Sequence, residues 1–246
     1  MTTGLSYDGS VAGTTSYITQ VATMAVVEET NPQFLIILPQ MITYAENRIY
    51  RDLDFLSTTQ ANTSYSLASG TRSVVVPPDV FVVLEQVNVL SPAGTTNPNS
   101  ATRNPLLPVT KEFLDVVFPS SDGAALPQYF AIFDQSTFLV GPWPDANYTL
   151  ELVGTVRPDS LSATNPTTFI SLYLPDLMIM ASMVYISAYQ RNFSGAAAND
   201  PAMPGTYEAQ YQTLLKGAMV EEARKKFQSS AWSSMSPAPV ASSSRG

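Results

Sequence analysis

The sequence predicts an α+β fold, with helices towards both ends, a β-rich middle and an extended tail. Three observations carry this. Apolar residues recur at three- and four-residue spacing before residue 54 and after residue 174. Between residue 64 and about residue 157 the pattern turns to alternation, and Val and Phe recur. The last stretch, SSAWSSMSPAPVASSSRG at 229–246, is low-complexity and holds too little apolar surface to order itself. A chain of 246 residues is long for one simple domain and short for two, which suits one body with an insertion.

Residues 1–15 are rich in Gly, Ser and Thr and read as irregular. SYITQVATMAVVEE at 16–29 reads as a helix, with Tyr17, Val21, Met24 and then Val27 or Glu28 on one face. Thr30-Asn31-Pro32 stops it and starts the next, because Asn caps helices and Pro suits the first helical position. Residues 33–53 give the longest helical signal. Met41, Ile42, Ala45, Ile49 and Leu53 form its apolar face, and Glu46, Arg48 and Arg51 its exposed one. Pro39 should kink this helix or begin its main part.

Strands are predicted near 72–76 and 80–90, around a Pro77-Pro78-Asp79 turn. PAGTTNPNSATRNP at 92–105 reads as a long polar loop. Residues 110–119 read as a short capped helix ended by Pro119. Three more strands follow near 128–133, 137–140 and 148–156, the first two joined at Asp134-Gln135-Ser136. Between the last two lies GPWPDANYTLEL. Pro142 and Pro144 cannot donate ladder hydrogen bonds and belong in a connection. Tyr148, Leu150 and Leu152 alternate with Thr149 and Glu151, so the region reads as a hairpin with one face on a core.

Residues 175–192 return to helix, with Pro175 in the first turn and Asp176 at the positive end. The body is apolar all round. Residues 169–189 approach the length of a membrane span, but Pro175, Asp176 and several Ser and Tyr favour a buried helix. A small-residue linker at 195–205 leads to a last helix at about 206–228. Tyr207, Tyr211, Leu214, Leu215, Ala218 and Met219 form its apolar face, and Arg224, Lys225 and Lys226 sit near its negative end.

Hydrophobic residues make up 45% and charged residues only 13%, about half the usual ~25%. So little charge suits a surface hidden against other chains. The net charge is −8, from 20 acidic and 12 basic residues, so the basic footprint of a nucleic-acid binder is absent. An acidic surface instead repels a phosphate backbone. With no Cys and no His, disulfides, zinc sites of those ligands and Ser-His or Cys-His dyads are excluded. Carboxylate, lysine or tyrosine chemistry and oxygen-ligated cations remain. The opening MTTGLSYDGS has no basic region followed by an apolar run, so no signal peptide is expected.

Beside a purely structural role, the residues leave two chemical ones open. A cell-wall hydrolase needs two carboxylates at a set separation. Glu46, Asp52, Asp54, Glu85, Glu112, Asp115 and Glu151 are available, and no pair stands out. A glycan-binding surface would use Trp143 and Tyr148, although a Trp packed at a proline corner is the commoner arrangement.

Four stretches in order resemble the head-to-tail adaptor, or connector, proteins of tailed bacteriophages, especially short-tailed ones. They are NPQFLIILPQMITYAENRIYRDLD at 31–54, YFAIFDQSTFLVGPWPDANYTLEL at 129–152, YLPDLMIMASMVYISAYQRN at 173–192 and YEAQYQTLLKGA at 207–218. The second resembles the family's strand, turn and proline corner, with Ala146-Asn147 in place of a shorter corner. The resemblance implies a helical bundle with an inserted antiparallel β-rich domain and an extended C-terminal tail. On that plan, 1–63 supply an arm and bundle helices, 64–160 the insertion, 161–228 further bundle helices and 229–246 the tail.

The resemblance further implies a structural virion protein, with no enzyme activity and no cofactor. It would form a homo-oligomeric ring, usually a dodecamer, under the portal protein at the head-tail junction, assembled in the host cytoplasm. The ring would extend the DNA channel, let genomic DNA pass without specific binding, and anchor tail nozzle or tail fibre proteins, with no membrane involved. The portal interface falls to Phe227, Trp232, Met235, Pro237, Pro239, Val240 and Arg245. Subunit contacts fall to Tyr44, Arg48, Arg51, Met180 and Tyr185. Arg103, in the long loop, and Trp143 are assigned to a tail protein.

Overall fold

A computed structural model describes the backbone of residues 4–78, 80–190 and 203–227, with side chains for 4–78, 80–187 and 205–226. The fold is α+β. In chain order the elements are β1 (Gly4–Ser6), β2 (Thr14–Ser16), α1 (Tyr17–Met24), α2 (Pro32–Asp52), β3 (Thr59–Leu67), β4 (Ser73–Val75), β5 (Val83–Ser91), β6 (Thr102–Pro105), β7 (Leu107–Pro108), α3 (Lys111–Val117), β8 (Tyr129–Ile132), β9 (Thr137–Gly141), β10 (Tyr148–Thr155), α4 (Phe169–Tyr173), α5 (Pro175–Gln190) and α6 (Met203–Phe227). They divide into two compact units. One takes the described residues up to Leu56 and from Pro158 onward, and the other runs Ser57–Arg157.

The first unit is helical. Ser16 caps α1 by accepting from the Thr19 N–H at 3.1 Å. The helix ends at Met24, five residues short of the Glu29 that the sequence predicts. Val26 takes a positive φ of 54°, and the N–H groups of Val26 and Val27 bond back to the carbonyls of Thr23 and Ala22. This pairing closes a helix end whatever apolar residues follow. Met24 is consequently exposed, and Ala22 and Ala25 are buried in its place. Asn31 caps α2, accepting from Gln33 and Phe34 N–H at 2.9 and 3.3 Å, with Pro32 in the first turn. The helix continues on both sides of Pro39, which is exposed and neither starts nor ends it.

Phe34, Leu38, Ile42, Ala45 and Ile49 of α2 pack with α1 and α5 into one core. Helix α5 contacts α1, α2, α4 and α6, which explains why it is apolar all round. It meets α1 through a buried polar contact, the Tyr17 hydroxyl donating to Ser182 Oγ at 2.7 Å. Within the stretch read as irregular, residues 7–13 are turns and bends, but two short strands flank them. Strands β1 and β2 pair in parallel, and Leu5 joins the core. Among the described residues no helix is long and apolar enough to cross a membrane.

The second unit is a sandwich with a helix on its outer layer. One sheet has the order β3-β10-β5-β6 and the other β4-β9-β8-β7. All pairs are antiparallel except β7 with β8. Leu67, Val87, Val89, Leu150 and Leu152 of the first sheet meet Val74, Phe130, Phe138 and Val140 of the second. The alternate residues Ala131 and Leu139 turn the other way and are covered by Leu114 of α3, which Thr110 caps. Two-residue alternation therefore feeds two cores from single strands.

Three readings change here. Residues 137–156 are not a hairpin, because β9 and β10 lie in different sheets and the proline corner carries the chain across. The end of the supposed loop at 92–105 is β6, paired with β5. The alternation at Tyr65 and Leu67 begins six residues earlier, as β3 pairs with β10 from Thr59.

Candidate interaction surfaces

The long residues of α2 that were placed on an exposed face have separate fates. Glu46 is buried, at 1% exposure. Its two carboxylate oxygens accept from the Leu161 N–H at 3.0 Å and the Thr168 hydroxyl at 2.9 Å. Burial holds its carboxyl above the ordinary range, against the pull of those bonds. Arg48 donates to both oxygens of Glu208 at 2.8 and 2.5 Å and lies 4.2 Å over the Tyr211 ring. Tyr211 in turn donates to Asp52 at 2.7 Å. This bidentate, stacked arrangement ties α6 to α2 and commits the guanidinium inside the chain. Arg51 stays exposed. Tyr44 is exposed too, its ring 5.8 Å from that of Tyr185, while Met180 and Tyr185 are half-buried against the core.

In the sandwich, Arg103 stands on β6 and donates to both oxygens of Glu151, at 2.8 and 3.0 Å. Asn88 donates to the same carboxylate at 2.9 Å. The Arg103 bond and Asn88 hold Glu151 below the usual carboxylate range, against its burial. The residue that alternation predicts to face outward at 151 is thus covered by side chains of the neighbouring strands, Asn88 of β5 and Arg103 of β6.

Trp143 donates its indole N–H to the Phe118 carbonyl at 3.1 Å, and Arg72 lies 5.4 Å over its ring. Tyr148 is buried and donates to Asp145 at 2.7 Å. Both rings of the supposed glycan platform are thus engaged within the corner. The KK run bonds acids rather than helix carbonyls: Lys225 pairs with Glu221 and Glu222, and Lys226 with Asp54.

The carboxylates do not assemble an acid-base pair. Asp52 bonds Tyr211, Asp54 bonds Lys226, Asp115 lies between Lys111 and Arg72, and Glu85 accepts from Thr155. Glu46, the one carboxylate of the seven that burial raises, is sealed from any substrate. Among the described residues no group of three or more acids converges as a cation site. Phe227, Trp232, Met235, Pro237, Pro239, Val240 and Arg245 lie outside the residues whose side chains are described, as does most of the linker at 195–205.

Two exposed features escaped the sequence reading. A cleft of about 660 Å³ opens at one end of the sandwich, with exposed Ile132 and Phe133 on its wall and Glu85 and Glu112 beside them. On the outer side of α6, Val220 is exposed between Lys216 and Arg224. A signal for the first was present in the sequence, since Ile132-Phe133 places two large apolar residues next to a turn.

No curated protein matches the chain. The family model described as SU10 adaptor protein matches residues 15–240. The match begins sixteen residues ahead of the first stretch that carries the resemblance and reaches into the low-complexity tail, so it spans both units. The chain belongs to the SU10 adaptor protein family, phage head-to-tail adaptors of the short-tailed type.

Proposed function

We propose that copies of this chain close a ring, twelvefold, beneath the portal protein, extend the DNA channel and hold the tail. The observation that carries this reading is the family match across residues 15–240. Its mechanism is geometric. Repeated heterologous contacts close a ring when the rotation between copies divides a full turn. Exposed Tyr44 and Arg51, with Met180 and Tyr185 behind Tyr44, are the contacts that α2 and α5 offer. Arg48 acts behind them by fixing α6 on α2. Arg103 and Trp143 shape the strand edge and corner that face a tail nozzle or fibre protein. The segment from Phe227 to Arg245 is the part that docks on the portal, with Phe227, Trp232, Met235 and Val240 as its apolar anchors.

No chemistry is assigned to the chain. A net charge of −8 keeps the channel wall from holding DNA that must pass through it. The site of action is the head-tail junction of the virion, after assembly in the host cytoplasm. Native mass spectrometry with the cognate portal ring tests the reading, using the full chain and a form truncated after Gln228. Addition of subunits in one fixed stoichiometry, weakened by the truncation, is expected. A chain that stays monomeric beside the portal would refute it.

A further inference from the structure

The cleft of the sandwich is built from two sheets that part at one end. Leu84 lines one wall from β5, and Phe130 and Ile132 line the other from β8, with Pro108 and Phe133 at the rim. Ile132 and Phe133 are 67% and 55% exposed, so two large apolar side chains stand open to water at a mouth that Glu85, Thr110, Lys111 and Glu112 also line. Exposed apolar surface gathered at a concavity marks a binding site more often than scattered exposure does. Two acids and one base line the mouth, and the base, Lys111, is bonded to Asp115 and lies 5.9 Å over the Phe133 ring. Glu85 accepts from a hydroxyl, that of Thr155, and Glu112 has no cation partner among the described residues. The cleft therefore offers apolar side chains flanked by two carboxylates that bond no cation among the described residues.

The opposite character appears on α6. Its inner face is Tyr211, Leu215, Ala218 and Glu222, all buried. Lys216, Val220 and Arg224 follow at four-residue intervals on the outer face, and all three are exposed. Arg48, Arg72, Arg103, Lys111, Lys225 and Lys226 each bond a carboxylate within the chain. Lys216 and Arg224 bond none among the described residues, as holds also for Arg51 and Arg157, which lie on other elements. A 48%-exposed Val220 thus stands between two unpaired cations roughly 12 Å apart along the helix.

We infer that the cleft of one copy receives the Lys216–Val220–Arg224 face of α6 from the next copy. Val220 enters the mouth, and the two cations meet Glu85 and Glu112. The contact joins two different patches, which is the head-to-tail kind that a ring requires. The inference rests on the ring reading above and names the surfaces that close the ring. Apolar contact supplies the affinity, and the charges fix orientation and exclude wrong registers.

The test uses four forms of the full chain: the wild type, E85K/E112K, K216E/R224E, and an equimolar mixture of the two variants. All four substituted positions are exposed, and far-UV circular dichroism with thermal melting checks that each variant is folded. Assembly is read by sedimentation velocity, alone and on the cognate portal ring. Each variant by itself faces like charge with like and is expected to associate more weakly than the wild type by roughly tenfold or more. The mixture restores opposite charge at every contact if copies alternate, so association returns and the rings hold an even number of subunits. Wild-type-like association of either folded variant overturns this contact while leaving the ring itself standing. Loss in both variants without rescue in the mixture also overturns it. A wild-type chain that never associates, even on the portal ring, overturns the contact and the ring reading together.

Discussion

At the scale of single residues, Glu46 sets the clearest physical test. It is a carboxylate inside the helical core, held by donors from the segment that follows the sandwich. Burial raises its pKa, and the bonds from Leu161, Thr168 and Ser160 counter that only in part. A folded-state pKa above the unfolded one means that the neutral form favours folding. This contribution is complete below the ordinary carboxylate range and fades as pH rises through that range and past it. Glu46→Gln cannot ionise. Its stability relative to the wild type is expected to climb as pH rises through the ordinary carboxylate range and past it, read from urea midpoints. A difference that stays flat across this span would show that the bonds fully offset burial. Nothing local in the sequence announces this role. Glu46 stands near Arg48 and Arg51 on a face that reads as solvent-facing, and its partners lie 115 and 122 residues away. Arg48 was hidden for the same reason, since Glu208 is 160 residues distant.

At the scale of elements, what was legible is what is fixed locally. The start of α2 was readable because Asn31 and Pro32 act on the first turn beside them. The short α3 was readable through its Thr110 cap. The proline corner was recognised, but its partners were not. Alternation marks Thr137–Gly141 and Tyr148–Thr155 as strands without saying which sheet each joins, and they join different ones. Pro39 shows local reasoning overruled by packing. A proline inside a helix removes one hydrogen bond and crowds the preceding turn, costing ~3 kcal/mol against alanine. Phe34, Leu38, Ile42 and Ala45 are buried on both sides of it, and that packing outweighs the penalty. Because the Pro39 ring is exposed, its removal leaves no cavity. Pro39→Ala is therefore expected to raise stability by ~1–3 kcal/mol, visible as a higher urea midpoint at unchanged slope. A loss of stability would instead mean that the local geometry Pro39 imposes is needed for the fit of α2 against its neighbours.

At the scale of the whole molecule, the chain enters and leaves the sandwich at one place. Thr59 pairs with Thr155 across β3 and β10, and the Val156 N–H bonds the Thr58 carbonyl at 2.9 Å. Antiparallel partners stand about 5 Å apart, so the points of entry and exit are nearly in contact. Everything between them draws on its own cores: Leu150, Leu152, Phe138 and Val140 in one, Leu114, Ala131 and Leu139 in the other. The helical core likewise uses residues from before Leu56 and after Pro158 only. Two such bodies should fold without each other. The segment 57–157, expressed alone, is expected to melt in one cooperative transition with an enthalpy of about 60–80 kcal/mol, as suits about 100 residues. The rest of the chain, closed by a short Gly-Ser linker between Leu56 and Pro158, is expected to keep its helical circular dichroism, because the gap to be bridged is small. A fragment that melts without cooperativity would mean that the sandwich depends on the helices to complete its core. Cooperative melting of both pieces would make it possible to remove the cleft of the sandwich while leaving α6 in place, and so to separate the surface that receives a neighbour from the surface that is received.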